Sequence, residues 1–149
     1  MKDTKFSIAI HILSMIALSP HPINSVDIAK SVGTNPSYIR KIMSLLKDHK
    51  IIESHRGKTG IQLLVDPGDL DLLTIYKIVE EENPHIFQVH QNANAECPVG
   101  RNIVNAVFPF LDDAEKRLQH SLQHDTLADV IDRLKQLERS RNHEGSPTN

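Results

Sequence analysis

The chain has 149 residues, of which 39% are apolar and only 4% are aromatic, with no tryptophan. One compact domain with an additional assembly element is expected at this length. The formal net charge of −2 argues by itself against a nucleic-acid partner. The charge is divided unevenly, however, because residues 1–65 hold nine Lys/Arg against four Asp/Glu, and residues 66–149 hold eight against fifteen. A nucleic-acid surface is therefore expected in the basic first part.

The sequence lacks the patterns of a membrane or exported protein. No run approaches the roughly 18 to 20 apolar residues that a membrane span requires, and the first residues do not resemble a cleaved signal peptide. A single cysteine excludes an internal disulfide framework. We therefore expect a cytoplasmic protein in a reducing setting, with no membrane partner.

The first predicted helix covers residues 6–18 and ends before Pro20 and Pro22. Two shorter helices follow, separated by a glycine turn. Asn24 or Ser25 can cap the first of them, and Gly33 stands where the chain needs a positive φ. Asn35 then caps the next helix, whose first residue is a proline. This order of caps and turn is typical of a helix-turn-helix motif.

The second helix of that pair has one apolar and one polar face. The apolar face comprises Ile39, Ile42, Met43 and Leu46. The outward face comprises Ser37, Tyr38, Arg40, Lys41, Ser44 and Lys47. A buried back with a polar, cationic front is typical of a recognition helix that enters the major groove of double-stranded DNA. We therefore predict that the outward residues contact DNA.

Two strand-like runs follow at residues 51–55 and 61–65, with a turn of two glycines and two cations between them. A hairpin with a basic tip directly after a recognition helix is typical of a wing. Arg56 and Lys58 are therefore expected to contact DNA, and Arg56 is long enough to enter a minor groove. The alternative is an amphipathic helical pair with an ordinary hairpin. The order of these elements favours a winged helix-turn-helix domain over residues 1–66.

Residues 67–138 are predicted to form a helical region for sensing and dimerisation. Asp69 or Asp71 can cap a helix that continues to about Glu82, and a polar loop then covers residues 84–97. Pro98 begins a long helix, in which Pro109 is expected to cause a kink or a break. The predicted fold class is mainly α with a small β-hairpin wing, a winged helix-turn-helix plus a long dimerisation helix.

Apolar residues recur along the long helix at steps of three and four. The predicted stripe consists of Ile103, Val107, Leu111, Ala114 and Leu118, with Phe110 as the alternative to Leu111. A small chain has little left with which to cover such a stripe, so we expect a symmetric homodimer. The alternative is a helix that packs back onto its own domain. Thr126 and Asp129 predict a capping box for a last helix, and residues 139–149 are expected to be a disordered tail.

The order and the residue sequences of these segments resemble those of the Rrf-two (Rrf2) family of bacterial winged-helix transcriptional regulators. This family includes iron–sulfur and nitric-oxide sensors. The resemblance covers residues 2–137. It is carried by Pro36-Ser37-Tyr38-Ile39-Arg40-Lys41, Ser54-His55-Arg56-Gly57 with Gly60, Leu72-Leu73-Thr74-Ile75, Cys97-Pro98 and Thr126-Leu127-Ala128-Asp129. It implies a homodimeric transcription factor with a long dimerisation helix. It also implies base and phosphate contacts by Ser37, Tyr38, Arg40 and Lys41, and a wing contact by Arg56.

Cys97 marks a departure from the cluster-binding members of that family. Those members carry three closely spaced cysteines before the long helix, whereas this chain has one cysteine. A [2Fe–2S] centre needs four ligands, mostly thiolates, and two subunits would offer two thiols. His85 and His90 could be proposed as substitutes, but histidines in a polar loop are more often solvated. We therefore expect no iron–sulfur cluster and no metal cofactor.

Cys97 is instead predicted to be a redox-sensing thiol. It precedes Pro98 at a helix start, with Arg101 one turn on, and both the helix dipole and the cation favour the reactive thiolate. Glu96 opposes this effect. The predicted function is a sequence-specific repressor that is released from an inverted-repeat operator by thiol oxidation or by electrophiles at Cys97. The alternative is that Cys97 is a small apolar residue with a structural role only.

Two other functions are weighed against this prediction. A thiol-dependent enzyme could pair Cys97 with His85 or His90, but no third orienting group and no phosphate-binding glycine loop accompany them. We therefore predict that the chain is not an enzyme. A metal- or ligand-responsive regulator of the same fold is the nearer alternative, because His120 and His124 stand four residues apart on one helix face. Such pairs are more often coincidental surface residues.

Overall fold

The computed structural model of the protein describes residues 4–55 and 60–145. In these ranges the chain forms six α-helices, a two-stranded antiparallel hairpin and a short 3-10 helix. The helices are α1 (Lys5–Leu18), α2 (Ser25–Val32), α3 (Pro36–Asp48), α4 (Leu72–Val79), α5 (Pro98–His124) and α6 (Leu127–Glu144). The strands are β1 (Ile52–Ser54) and β2 (Ile61–Leu63), and the 3-10 helix is Pro67–Asp69. The predicted fold class is confirmed.

Local hydrogen bonds set the ends of α2 and α3. The Asn24 side chain accepts from the Asp27 amide, and the Asp27 carboxylate accepts from the Asn24 amide, which completes a capping box. Gly33 closes α2 with a φ of 85°, a left-handed conformation that glycine adopts without strain. The Asn35 side chain accepts from the Tyr38 amide at 2.9 Å, and α3 begins at a proline. These predicted caps are therefore confirmed.

The core lies between α1, α2, α3 and the hairpin, and it continues into α4 and α6. Buried residues of the first three helices include Ala9, Ile12, Leu13, Ile28, Ala29, Ile39, Ile42, Met43 and Leu46. Those of the later helices include Ile75, Ile78, Val79, Leu127 and Ile131. The apolar back predicted for α3 is thus wholly buried. Side chains from before and after the predicted domain boundary at residue 66 therefore pack in the same hydrophobic core.

The hairpin follows α3 directly, as expected for a wing. Ile52 pairs with Leu63 and Ser54 with Ile61, and the His55 amide donates to the Gly60 carbonyl at 2.9 Å. Gly60 has a φ of +58°, and a Cβ there would lie 2.9 Å from the Ile23 carbonyl oxygen, so this position requires glycine. The predicted tip, with Arg56 and Lys58, lies outside the described residues.

A short backbone connection joins the beginnings of α4 and α6. Asp71 caps α4 by accepting from the Thr74 amide at 2.8 Å. The Leu72 amide donates to the Asp125 carbonyl, and the Leu127 amide donates to the Leu70 carbonyl, each at 2.8 Å. The Leu70 and Leu127 side chains are almost completely buried. The start of α6 is therefore part of the core that supports α3.

Two predictions about the long helices need correction. The predicted break at Pro109 is wrong, because α5 continues through it as one helix, although a proline lacks the amide that would bond to the carbonyl four residues earlier. The alternative, a kink at Pro109, stays a prediction. α6 continues to Glu144, so residues 139–144 are helical, contrary to the predicted disordered tail. Its last turn holds Arg141 and His143, whose cationic forms complement the helix dipole. In the described ranges, no helix is both long and apolar enough to cross a membrane.

Candidate nucleic-acid interface

The front of α3 is a fixed, exposed and cationic surface. Four buried side chains anchor the back of this helix in the core. The side chains of the opposite face are exposed, and they are Ser37, Arg40, Lys41, Ser44 and Lys47. Because the back is anchored, the front can meet a duplex without a change in the fold. These five predicted DNA contacts therefore share one accessible surface.

Arg40 is oriented on that surface by two serine hydroxyls. Its guanidinium nitrogens lie 3.4 Å from Ser25 Oγ and 3.3 Å from Ser37 Oγ. Ser25 is the first residue of α2, so Arg40 links the starts of both helices of the motif. A guanidinium has five N–H donors, which leaves donors for a base edge or a phosphate. Ser25 stands 15 residues before Arg40, so no local pattern in the sequence predicts it as a positioning residue.

Tyr38 differs from the other predicted contacts. Its side chain is half-buried and packs against the core. It lies on the side of α3 that faces α4 and α5, where it lines a cavity together with Phe6 and Tyr76. The prediction that Tyr38 points outward is therefore only partly correct. The physical reason is that its position falls between the buried and the exposed faces of the helix.

Cys97 lies at the N-cap of α5 and is exposed. Its amide donates to the Asn94 carbonyl at 3.2 Å. A Cβ at Gly100 would overlap that same carbonyl oxygen, so the turn before α5 is pressed against the first turn of the helix. The amides of Gly100 and Val99 lower the pKa of the Cys97 thiol below its ordinary value. The predicted effect of the helix start on this thiol agrees with the structure.

The predicted dimer stripe on α5 is partly covered within one chain. Ile103, Val107, Leu111 and Ala114 are half-buried, and Leu118 is 38% exposed and faces a cavity beside α4. The most exposed large apolar residues of α5 are Val99, Val104, Phe108 and Phe110. Phe108 is 58% exposed and Phe110 is 76% exposed. Uncovered apolar surface is therefore concentrated in the first half of α5.

Glu115 is a buried acid that sequence analysis did not single out. It accepts from His85 Nδ1 at 3.1 Å and from the Ile86 amide, and it thereby attaches the loop to α5 at these two residues. Burial raises the pKa of Glu115, but the hydrogen bonds from His85 and Ile86 outweigh burial and hold it below its ordinary value. The sequence hints at this role only by placing an acid next to the apolar stripe of α5.

The histidines weighed as metal ligands contact other side chains. His120 Nε2 and His124 Nε2 are 3.0 Å apart on exposed turns of α5, whereas His85 contacts Glu115. Within residues 4–55 and 60–145, no three His, Cys, Asp or Glu side chains come together as a metal-binding group. A site in which His85 and His90 join Cys97, weighed above as an alternative, is therefore not found in this part of the chain.

Solved structures share this fold. One, described as a DNA-binding protein, has 35% sequence identity and a TM-score of 0.68, and the match covers 85% of this chain and 98% of that chain. Another is CymR (YrzC), the global cysteine regulator of B. subtilis, with 18% identity and a TM-score of 0.62. That match covers 89% of this chain and 96% of CymR. At 18% identity, the likeness to CymR shows that the two proteins share a fold and nothing further.

The family model that matches residues 2–133 is Rrf2, described as an iron-dependent transcriptional regulator. An iron–sulfur cluster needs four ligands, mostly thiolates, and this chain supplies the single thiol of Cys97. The described residues also form no group of three candidate ligands. The residues of this chain therefore do not fit such a cluster, and no step of its function is assigned to iron.

A curated relative supports the same family. YwnA of Bacillus subtilis (strain 168), which carries the name of an HTH-type transcriptional regulator, is 37% identical over 134 residues. That alignment covers 90% of this chain and 99% of YwnA. These relatives are transcriptional regulators and not enzymes. An exposed, cationic face on α3 is consistent with that class of protein. The chain thus belongs to the Rrf2 family of winged helix-turn-helix transcriptional regulators.

Proposed function

We propose that this protein is a homodimeric repressor that binds an inverted-repeat operator in the cytoplasm and releases it when Cys97 is oxidised or alkylated. The exposed cationic front of α3, anchored by a buried back, is the observation that carries the DNA-binding part. Binding over a promoter would exclude polymerase, which is the reason to expect repression. The region up to residue 66 supplies the DNA contacts, and residues 67–138 supply sensing and dimerisation.

The proposed contacts divide by reach and chemistry. Arg40 and Lys41 stand at the centre of the α3 front and suit guanine edges in the major groove. The remaining α3 contacts are Ser37, Tyr38, Ser44 and Lys47, which suit phosphates or neighbouring bases. Arg56 and Lys58 of the wing are proposed to contact the adjacent minor groove and backbone.

Dimerisation is proposed to bury the first half of α5. Val104 and Phe108, four residues apart, share one exposed face there, whereas Phe110 lies on the other side of the half-buried stripe. The half-buried Ile103, Val107, Leu111 and Ala114 lie along the same helix and widen the apolar surface. Two copies related by a twofold axis would present two α3 helices to half-sites about 10 base pairs apart or a multiple of that distance.

The proposed sensing step begins with the Cys97 thiolate. Its sulfur attacks one oxygen of a peroxide, so an S–O bond forms, the O–O bond breaks and hydroxide leaves, which gives a sulfenic acid. A small thiol or the Cys97 thiol of the partner subunit can then displace water and form a disulfide. Exposure and a lowered pKa support this step. Either product changes the turn that is pressed against α5, and with it the spacing of the two α3 helices.

A binding assay on random duplexes, followed by fluorescence anisotropy on the selected site, tests the DNA-binding part. Arg40→Ala or Lys41→Ala should weaken binding by roughly 1–3 kcal/mol where a base edge is contacted. Lys135→Ala on the exposed face of α6 is the matched control and should leave the affinity unchanged. Wild-type affinity should fall steeply with salt through counterion release. Salt-insensitive binding, or the same loss in all three variants, would refute the assignment.

Comparison of wild type with Cys97→Ser tests the sensing part. Peroxide or an electrophile should release the wild-type protein from its operator, and dithiothreitol should restore binding to the peroxide-treated sample. Cys97→Ser should bind equally well when reduced and should stay bound under oxidant. A serine variant that still releases the operator would assign sensing to another residue. Two unresponsive proteins would leave Cys97 with a structural role.

One observation favours a metal-responsive regulator as the second candidate. The His120 and His124 rings meet edge to face with their Nε2 atoms 3.0 Å apart. Two imidazoles alone are a weak site for zinc, which takes four ligands in structural sites. Metal content after purification without a histidine tag separates this candidate from the thiol sensor, and His120→Ala is the matched variant.

A further inference from the structure

A cavity of about 790 Å³ lies between α3 and α5, next to α4. Its walls come from α1, α3, α4 and α5, and residues 80–88 cover one side. Its volume falls within the range of roughly 300–1,000 Å³ that is usual for small-molecule sites. None of the residues assigned to redox sensing or to the proposed dimer surface lines it, apart from Leu118.

Aromatic side chains are concentrated in this cavity. The chain has four phenylalanines, two tyrosines and no tryptophan, and Phe6, Tyr38 and Tyr76 all line the cavity. The rings of Phe6 and Tyr76 meet edge to face, with centroids 5.4 Å apart and an interplanar angle of 89°. Such a pair presents both ring edges and ring faces to a third ring. The cavity therefore suits a flat aromatic molecule.

The rest of the lining is apolar inside and mixed in charge at the rim. The aliphatic residues are Ile42, Leu45, Val79, Ile86, Leu118 and Leu122. The rim carries the cations Lys5 and Lys41 and the three acids at residues 80–82. Because charges of both signs lie at the rim, neither an anionic nor a cationic ligand is strongly favoured. An uncharged ligand loses the least hydration on entry into such a site.

Several neutral polar groups can orient such a ligand. The Tyr76 hydroxyl donates to the Pro84 carbonyl at 3.3 Å, and its oxygen can still accept. Burial, together with the charges of Glu80 and Glu115, raises the pKa of Tyr76, so the phenol stays neutral at physiological pH. The Ser44 hydroxyl and the amides of Asn83 and Gln88 also line the cavity. These groups match one or two oxygens on a ligand.

Glu115 keeps the cover of the cavity in place. Its two carboxylate oxygens accept from His85 Nδ1 and from the Ile86 amide, and both of these residues line the cavity. The acid is buried on α5 next to the cover. This anchorage holds residues 80–88 over the opening.

We propose that this cavity is a binding site for a planar, uncharged aromatic molecule that carries one or two hydrogen-bonding oxygens, of the phenol class. The ligand stacks among Phe6, Tyr38 and Tyr76, and its oxygen bonds to the neutral polar groups of the lining. The aliphatic and aromatic part of the lining holds water weakly, so an aromatic ring can replace that water at little cost.

Binding would also alter contact with DNA, a step that rests on the proposed function. Lys41 and Ser44 line the cavity and also belong to the front of α3. A ligand that holds these side chains, or that shifts α3 against α5, changes what the front can offer to a duplex. Ligand occupancy is therefore a second input to DNA binding, independent of Cys97.

Titration with 2-naphthol, followed by its own fluorescence, tests the site on the full chain in the absence of DNA. Saturable binding of one molecule per chain is expected below about 1 mM. Leu122→Trp places a larger side chain in the cavity and should weaken binding by about tenfold or more. Leu134→Trp, on α6 in a separate groove, is the matched control and should bind like wild type. 2-Naphthalenesulfonate, the anionic analogue, should bind about tenfold more weakly than 2-naphthol.

The site would be overturned if the folded wild-type protein showed no saturable binding, if Leu122→Trp bound equally well, or if Leu134→Trp alone lost binding. Equal or tighter binding of the sulfonate would overturn it as well. Binding only by dissociated chains would show that a partner subunit fills the cavity and would also overturn it. Circular dichroism checks that each variant is folded.

Anisotropy on operator DNA then tests the coupling separately. Saturating 2-naphthol should change the wild-type affinity by about twofold or more and should leave Leu122→Trp unaffected. An unchanged affinity in the presence of bound 2-naphthol would overturn the coupling while the site stands. A protein that binds 2-naphthol but no duplex would instead refute the proposed function.

Discussion

Two ionisable groups, one at the start of α5 and one within it, owe their chemistry to nearby hydrogen-bond donors. The Cys97 sulfur lies at the open end of the helix, where the amides of Gly100 and Val99 favour a negative charge. Glu115 lies farther along the same helix, where His85 and Ile86 supply hydrogen bonds to a buried carboxylate. In both cases the helix places the group, and the adjoining loop supplies or completes its surroundings.

The lowered pKa of Cys97 predicts that the native thiol reacts at lower pH than the unfolded one. The rate of alkylation by iodoacetamide should rise with pH in both states, because the thiolate is the nucleophile. The midpoint of that rise should lie at lower pH for native protein than for protein in urea. Mass spectrometry of the labelled peptide measures both curves, and Cys97→Ser shows the background. Coincident midpoints would mean that the helix start does not stabilise the thiolate.

Glu115→Gln is predicted to destabilise the protein. His85 and Ile86 would lose a charged acceptor, at a cost of about 1–3 kcal/mol. Because the pKa of Glu115 is lowered on folding, its contribution is present above the unfolded value of about 4.3 and is lost as pH falls through the folded value. Urea unfolding at neutral and at acidic pH measures the difference between wild type and variant.

That difference should be largest at neutral pH and should shrink under acid. Glu138→Gln on the exposed surface of α6 is the control and should change the free energy of unfolding by less than about 0.5 kcal/mol. A difference between wild type and Glu115→Gln that is constant with pH would show that packing, and not charge, holds the cover.

Among the helices and strands, the features that could be predicted from the sequence are those that depend on a few consecutive residues. Caps at Asn24, Asn35 and Thr126 depend on contacts three residues away, so the sequence contains all that they need. The amphipathic face of α3 follows from helical periodicity alone. The wing was predictable for the same reason, because its strands follow one another directly.

Other features depend on residues distant in the chain and could not be predicted. The partial burial of Tyr38 requires α4 and α5 beside α3. The cavity itself unites Phe6, Tyr76 and Leu122, which no local pattern relates. The pair of Glu115 and His85 joins residues thirty positions apart. The end of α6 was misjudged because polar composition was interpreted as disorder, although polar residues also form exposed helices.

Replacement of Pro109 tests how much the uninterrupted α5 is strained. Proline lacks the amide that would donate to the Asn105 carbonyl, and its ring crowds the preceding turn. Pro109→Ala should therefore raise the free energy of unfolding by about 1–3 kcal/mol, since proline is the least favourable residue in a helix interior. Urea denaturation followed by circular dichroism measures this. Ala106→Pro, one turn earlier, should have the opposite effect. A less stable alanine variant would show that the proline is needed for the course of α5.

At the scale of the whole molecule, one core serves both the DNA-binding surface and the helices that follow it. The start of α6 is fastened beside α4 by the backbone bonds of Leu72 and Leu127, and α4 contacts α1, α3 and α5. The second half of α5 is bound to the loop before it, because Glu115 accepts hydrogen bonds from His85 and Ile86. Its first half carries the exposed rings of Phe108 and Phe110. A second copy is the occupant that we propose for this surface.

Phe108→Glu is predicted to separate the proposed dimer. A glutamate there would place an unpaired charge between the two subunits, at a cost of several kcal/mol, while the 58% exposure of Phe108 in one chain means that the fold itself should survive. Sedimentation equilibrium at micromolar concentration should find the wild type dimeric and the variant monomeric. The variant should also lose affinity for a full inverted repeat far more than for a single half-site, because only the repeat engages both α3 helices. Leu64→Glu, at a 48% exposed residue just after the hairpin, is the matched control and should remain dimeric. A monomeric wild type, or a Phe108→Glu variant that stays dimeric, would remove the first half of α5 from the proposed interface.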